Sequence, residues 1–281
     1  MTRQQLIEQI IQKQSYLCVG LDSDIDKLPA GITRDPGGVL SFNKAIIDAT
    51  RAYCVSYKIN TAFYESLGAA GWSVMEQTVH YIGQEHFLIA DAKRGDIGNT
   101  ADQYAKAFFN TLSFDAVTLA PYMGSDSIKP FLQFPGKWGI VLGLTSNPGA
   151  ADFELQSCGE QLLYERVMQT ASSWGNPGNI MFVVGATRSD LIGAIRKQYP
   201  DHFFLVPGVG AQGGSLEEVS QQSLAREGGL LVNVSRAIIF ASSQPDFAQK
   251  AAAEAKHYQQ QMALLLREIP ALSLGETGGI R

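Results

Sequence analysis

The sequence is short of the residues that hold small or secreted folds together. Cys18, Cys54 and Cys158 are an odd number, widely spaced and without a CxxC pair, so neither a disulfide framework nor a zinc site is expected. They read as reduced core thiols. Histidine is equally scarce: His80, His86, His202 and His257 form no i, i+4 metal pair and read as helix or surface residues. Positive charge is not in excess either. The balance of 22 Lys+Arg against 27 Asp+Glu leaves a formal charge of -5, which removes the general attraction to polyanions on which nucleic-acid binders depend. Any anionic ligand must therefore be held by a local site. No apolar run approaches the roughly 18 residues of a membrane span; the longest, such as 139–144 and 180–184, have strand length. Nucleic acid and membrane are thus not expected partners.

What is present suits a packed globular chain. Its 281 residues are 45% hydrophobic and 17% charged, and a chain of about 300 residues buries about 75% of its unfolded surface without help from disulfides or metal. Length alone allows one or two domains. Residues 2–14 place Leu6, Ile7, Ile10 and Ile11 at helical spacing, which predicts an amphipathic helix rather than the unbroken apolar segment of a signal peptide. Glu8 and the scarcity of Arg speak against a mitochondrial transit peptide, so the cytoplasm is the expected compartment. Residues 270–281 are Gly-rich after Pro270 and read as a loose tail.

Short apolar runs ending in polar or Gly residues recur along the chain. They cover residues 16–22, 55–60, 87–93, 116–121, 139–145, 180–187, 203–210 and 230–236. Each is followed by a segment able to form a helix: 38–53, 71–82, 100–112, 125–134, 160–174, 189–198, 215–226 and 245–267. Strand then helix, eight times over, implies parallel pairing. An open doubly wound sheet could use the same elements, but the count is that of a closed (β/α)8 barrel, a TIM barrel occupying the whole chain as a single domain. Such a barrel places its active site at the carboxyl ends of its strands. Asp22, Lys58, Asp91, Lys93 and Arg236 all lie at or near such ends.

The segment IADAKRGDIGNTA delivers Asp91, Lys93 and Asp96 at the end of an apolar strand. Residues two apart on a strand share a face, so Asp91 and Lys93 both project into the barrel mouth, while Asp96 begins the loop beyond Gly95. Buried charges are costly unless compensated, so a paired network is expected, and Lys58, similarly placed after strand two, raises the case for an alternating Lys-Asp-Lys-Asp array. A structural salt bridge is the plainer alternative. Residues 207–214, PGVGAQGG, carry Gly208, Gly210 and Gly213, formally a dinucleotide fingerprint. The carboxylate such a site requires is misplaced, since Glu227 precedes strand eight. Loops after strands seven and eight are a recurrent phosphate site in these barrels, and the Arg236 guanidinium can donate two parallel hydrogen bonds to a phosphate. After strand five, Ser146 and Asn147 can read the imide edge of a planar heterocycle, although Ser-Asn-Pro is also an ordinary turn.

With these residues in place, the chain resembles the orotidine 5'-phosphate decarboxylase family, and DAKRGDIGNTA is similar to its longer bacterial branch, the type 2 subfamily. The family's D-x-K-x-x-D motif stands as Asp91, Lys93 and Asp96, and its preceding lysine corresponds to Lys58. The resemblance implies a homodimer in which Asp96 reaches the neighbouring active site with Thr100 nearby. It implies a ribose contact for Asp22, phosphate contacts for Gln212 and Arg236 beside Gly213, a pyrimidine contact for Ser146, and a pocket wall at Pro207. A smaller branch has Gly before the arginine where this chain has Ser235, whose backbone amide remains a donor. The implied reaction converts orotidine 5'-phosphate to uridine 5'-phosphate and carbon dioxide in pyrimidine biosynthesis, without cofactor or metal, with Lys93 protonating a C6 carbanion.

Three rivals share features of this pattern. A related barrel acts on sugar phosphates through a magnesium-bound enediolate, but carries a metal-binding Glu where this chain has Lys58. A Schiff-base aldolase needs a neutral lysine, which the flanking carboxylates disfavour. A non-catalytic phosphosugar or nucleotide sensor leaves the Lys-Asp array unexplained.

Overall fold

Apolar strands buried on both faces along most of their length pair in parallel when helices cover the outside, and closing the sheet removes its edges. The computed structural model describes residues 1–186, 189–210 and 213–269. It contains eight such strands: β1 (Leu17–Gly20), β2 (Ser56–Asn60), β3 (Phe87–Arg94), β4 (Ala116–Leu119), β5 (Trp138–Leu144), β6 (Ile180–Val184), β7 (Phe203–Pro207) and β8 (Leu230–Val234). Each pairs in parallel with its neighbours in sequence, and β8 returns to β1 through Leu17↔Val232, Cys18↔Asn233 and Val19↔Val234. The barrel is closed, which excludes the open doubly wound alternative.

At the amino ends of the strands the interior is filled by rings. Trp138 meets Phe87 and Phe203 edge to face at 5.8 and 6.1 Å, so side chains from alternate strands form one layer. Helix Arg3–Lys13 lies across this end. Its first turn is closed reciprocally: the Thr2 hydroxyl accepts from the Gln5 amide while the Gln5 side chain accepts from the Thr2 amide. The outer layer includes helices Pro36–Thr50, Gly68–Ile82, Gly98–Lys106, Leu163–Ser172, Ser189–Gln198, Leu216–Ser223 and Phe247–Arg267. Among the described residues no helix is long and apolar enough to cross a membrane.

Several expectations need correction. The segment 125–134 forms only a 3-10 turn, Ser125–Ser127, and one helical turn, Lys129–Leu132; Gly136, at φ +72°, reverses the chain soon afterwards. The segment expected to be helical from residue 160 begins as a two-stranded hairpin, Ser157–Cys158 with Gln161–Leu162, and turns helical at Leu163. Cys158 sits on that hairpin and is exposed, unlike the buried Cys18 and Cys54. His86 and His202 are not surface residues: both are buried just before β3 and β7. The eighth strand stops at Val234, and Arg236 opens a short helix, Arg236–Ile239. Residues 270–281, expected to form a tail, lie outside the described residues.

Candidate active site

The carboxyl ends of the strands surround a cleft of about 600 Å³, within the usual range for a small-molecule site. Asp22, Lys58, Asp91, Lys93, Ser146, Pro207, Ser235 and Arg236 all line it. These residues come from six different strands or the loops that follow them. Only closure of the barrel brings them together.

The charges form a continuous chain of contacts. The Lys58 ammonium donates to Asp91 Oδ2 at 2.7 Å and to Asp22 Oδ1 at 3.3 Å, while Lys93 Nζ donates to Asp91 Oδ1 at 2.6 Å. Lys58 is 4% exposed, whereas the Lys93 side chain is 52% exposed and reaches into the cleft. Burial disfavours the Lys58 ammonium, but the carboxylates of Asp22 and Asp91 outweigh it and hold its pKa above the ordinary lysine value. Burial likewise disfavours the Asp91 carboxylate, and the two flanking ammonium groups hold its pKa well below the carboxylate range. Lys58 and Asp91 are therefore both charged at neutral pH.

Backbone irregularities aim the functional side chains. In β3 Lys93 has φ +46°, a left-handed value for a residue with a long side chain, and the β3–β4 register shifts between Ala90 and Arg94. A second shift, between Leu142 and Leu144, precedes the loop that carries Ser146. That loop is tied down by Glu154, whose carboxylate accepts from the Thr145 amide at 2.7 Å and the Thr145 hydroxyl at 2.8 Å. Asn147 also lines the cleft.

After β7, Gly208, Gly210 and Gly213 all have positive φ, between 77° and 99°, and the amide of Gly214 donates to the Gly208 carbonyl at 3.2 Å. This tight turn faces Arg236, which is exposed at the mouth, across the end of β8. Gly20 in β1 permits the close approach of Ser235, because a methyl at that position would overlap the Ser235 hydroxyl. Gln212 lies outside the described residues.

Asp96 and Thr100 do not line the cleft of their own chain. Asp96 accepts from the amide of Ile97 at 2.8 Å, and Thr100 is exposed on the adjoining helix. Within the chain, Asp22 rather than Asp96 completes the partners of Lys58.

Sequence reasoning missed Thr118, Asn60, Asn233, Thr145 and Glu154. Asn60 and Asn233 lie at the carboxyl ends of β2 and β8, and their amides among apolar strand residues were a usable signal. Thr118 carried no such signal, since a β-branched residue is ordinary within a strand. Glu154 lies ten residues beyond the end of β5, too far for a strand-end rule to find it.

Comparison with known proteins identifies the family of the chain. Residues 15–254 match the model of the orotidine 5'-phosphate decarboxylase / HUMPS family. An orotidine 5'-phosphate decarboxylase of Christiangramia forsetii is 53% identical over 272 residues, covering 96% of this chain and all of the relative. One from Flavobacterium johnsoniae is 54% identical over 269 residues, covering 95% and 98%. The solved OMP decarboxylase of Leishmania donovani superposes with a TM-score of 0.82 at 35% identity, covering 94% of this chain and 98% of its own. With near-complete coverage at this identity, and with a closed barrel in common with the solved relative, the chain belongs to the orotidine 5'-phosphate decarboxylase / HUMPS family.

Proposed function

We propose that the chain converts orotidine 5'-phosphate to uridine 5'-phosphate and carbon dioxide by electrostatic stabilisation of a C6 carbanion. The observation that carries this reading is the contact chain from Lys58 through Asp91 to Lys93 at the base of a cleft sized for a nucleotide. Breaking the C6–carboxylate bond leaves an electron pair in the plane of the pyrimidine ring, where it cannot spread into the ring's π system. Stabilisation must then come from fixed charge. The Lys93 ammonium favours that charge and donates its proton to C6, becoming an amine that is reprotonated from solvent. Asp91 lies against the substrate carboxylate. Two like charges at about 4 Å repel by about 4 kcal/mol at an effective dielectric of 20, a useful but minor share of a large barrier.

The remaining residues bind and orient. Arg236 and the glycine turn hold the phosphate, with Gln212, Gly213 and the Ser235 amide as further donors; Asp22 meets the ribose; Ser146 and Pro207 meet the pyrimidine. Phosphate binding far from C6 supplies energy for closing loops and excluding water. The enzyme acts as a cytoplasmic homodimer, Asp96 and Thr100 entering the neighbouring site. Support comes from the exposed apolar side chains Ile97, Tyr122 and Met123, which lie on two adjacent loops joined by the Ala120 amide and the Arg94 carbonyl.

Lys58 disfavours the magnesium-enediolate reading, because a buried ammonium would repel a divalent cation. Incubation with orotidine 5'-phosphate in EDTA, followed by loss of the orotate absorbance, tests both ideas. The parent protein is expected to turn over undiminished by EDTA, and Lys93→Ala to lose about 10⁴-fold or more in kcat. Near-normal turnover by Lys93→Ala would sink the mechanism; loss of parental activity in EDTA would restore the metal reading.

A further inference from the structure

A single buried hydroxyl lies behind the reacting lysine. Thr118, in the middle of β4, is 1% exposed, and its Oγ1 makes two contacts within the array. It accepts from the backbone amide of Lys93 at 2.9 Å and donates to Asp91 Oδ1 at 3.0 Å. Asp91 Oδ1 is also the atom that accepts from Lys93 Nζ. One side chain thus touches both the main chain of the proposed proton donor and the carboxylate that faces it.

The backbone at this point explains why such a tie is needed. Ala90 pairs with Val117 and Arg94 with Leu119, so four residue steps on β3 run beside two on β4. The surplus is taken up around Lys93, whose left-handed φ of +46° is costly for any residue with a Cβ. A strained conformation persists only where its surroundings over-determine it. At this irregularity the Lys93 amide donates to the Thr118 hydroxyl rather than within the regular ladder.

We propose that Thr118 is a positioning residue for the decarboxylation, holding the β3 bulge so that the Lys93 ammonium and the Asp91 carboxylate converge on the same side of the cleft. Valine has nearly the same shape but no hydroxyl, leaving the Lys93 amide without its acceptor and Asp91 without its third donor. The barrel interior would still be filled. The Lys93 side chain would lose its fixed direction, and misplacement of a reacting group by about 1 Å is enough to lower a rate about 100-fold.

This inference rests on the decarboxylase reading, so its test combines a kinetic and a non-kinetic measurement. Thr118→Val is expected to lower kcat about 100-fold with KM changed by less than about threefold. The acid limb of the rate profile should move to higher pH as Asp91 loses a donor. Thr118→Ser, which restores the hydroxyl, should return kcat to within about fivefold of the parent. Independently of turnover, NMR amide exchange at Lys93 should accelerate at least about tenfold in Thr118→Val while core amides of β4 hold their parental rates. Parental kcat in Thr118→Val, equal loss of kcat in the Val and Ser variants, or unchanged exchange at Lys93 would each overturn the proposal. Failure of the parent to turn over would instead count against the decarboxylase reading, with the exchange measurement still deciding the role of Thr118.

Discussion

Each end of the barrel buries a cation, and the two are stabilised by different means. At the carboxyl ends of the strands, Lys58 meets the carboxylates of Asp91 and Asp22. At the amino ends, Arg196 is 8% exposed and donates to backbone carbonyls: Ser223 at 2.7 Å, Tyr199 at 3.0 Å, His202 at 2.6 Å and Gly229 at 2.8 Å. The Phe204 ring lies 3.7 Å from its guanidinium carbon. Burial pushes the Arg196 pKa down to about 9, still charged at neutral pH. Carbonyl dipoles fit the guanidinium fork and gather four backbone carbonyls into one node, but they bring no net charge. Carboxylates do bring it, and an arriving ligand meets that charge. Dipoles therefore suit a permanent strut, and ionised partners suit a place where charge must act on something else.

The comparison predicts a double dissociation. Lys58→Met should lower kcat/KM about 1,000-fold or more, because Asp91 loses the buried one of its two ammonium partners and the array its alternation. Steady-state kinetics on folded, purified variant would show it. A variant that unfolds while its folded fraction keeps parental kcat would reverse the assignment of roles. Arg196→Met should instead cost about 3 to 5 kcal/mol of stability, since several buried carbonyls lose their donor together. Urea denaturation measures this loss, and turnover per folded molecule should stay within about twofold of the parent.

A smaller effect separates the ends by pH. His86 and His202 are buried near the amino ends, where burial first, and then Lys13 for His86 and Arg196 for His202, lowers each pKa to about 4. Their neutral forms favour the folded chain. The associated stability is fully present above about pH 6.5 and is lost as pH falls towards 4, because the unfolded chain takes up protons first. Between pH 6.5 and 5, each histidine should contribute a loss of about 2 kcal/mol. His86→Gln should remove its share, leaving a shallower decline in chemical denaturation over that interval. Asp91, held well below the carboxylate range, titrates below this window and should not add to the slope. An unchanged slope in His86→Gln would erase the distinction.

The asymmetry between the ends also explains what could be read from the chain in advance. Asp22, Lys58, Asp91, Lys93 and Arg236 interrupt or close apolar strands, and a charge in that setting has few structural uses, so the mouth of the barrel was legible. Arg196 was not, because a basic residue in the last turn of a helix ordinarily faces water and complements the helix dipole. His86 and His202 failed for a related reason: each precedes a strand, in a position that alternation patterns do not describe. Thr118 was hidden by its own suitability for a strand, and Glu154 by separation from Thr145 along the chain. The barrel itself was recoverable because eight buried parallel strands impose eight apolar runs. The helix boundaries near 125–134 and 160–174 were less so, since short turns and a hairpin satisfied the backbone where a longer helix was expected.

The seam between β8 and β1 has a consequence for when the site exists. Asp22 follows the first strand and Arg236 the last, and they face one cleft only after Cys18 has registered with Asn233. A chain still lacking its final strand has no Arg236 at the cleft. Binding of a ligand that touches both is therefore a report that the ring is shut. By linkage, the same ligand acts as a clasp across the join, favouring the closed ring over any form in which the two end strands have parted.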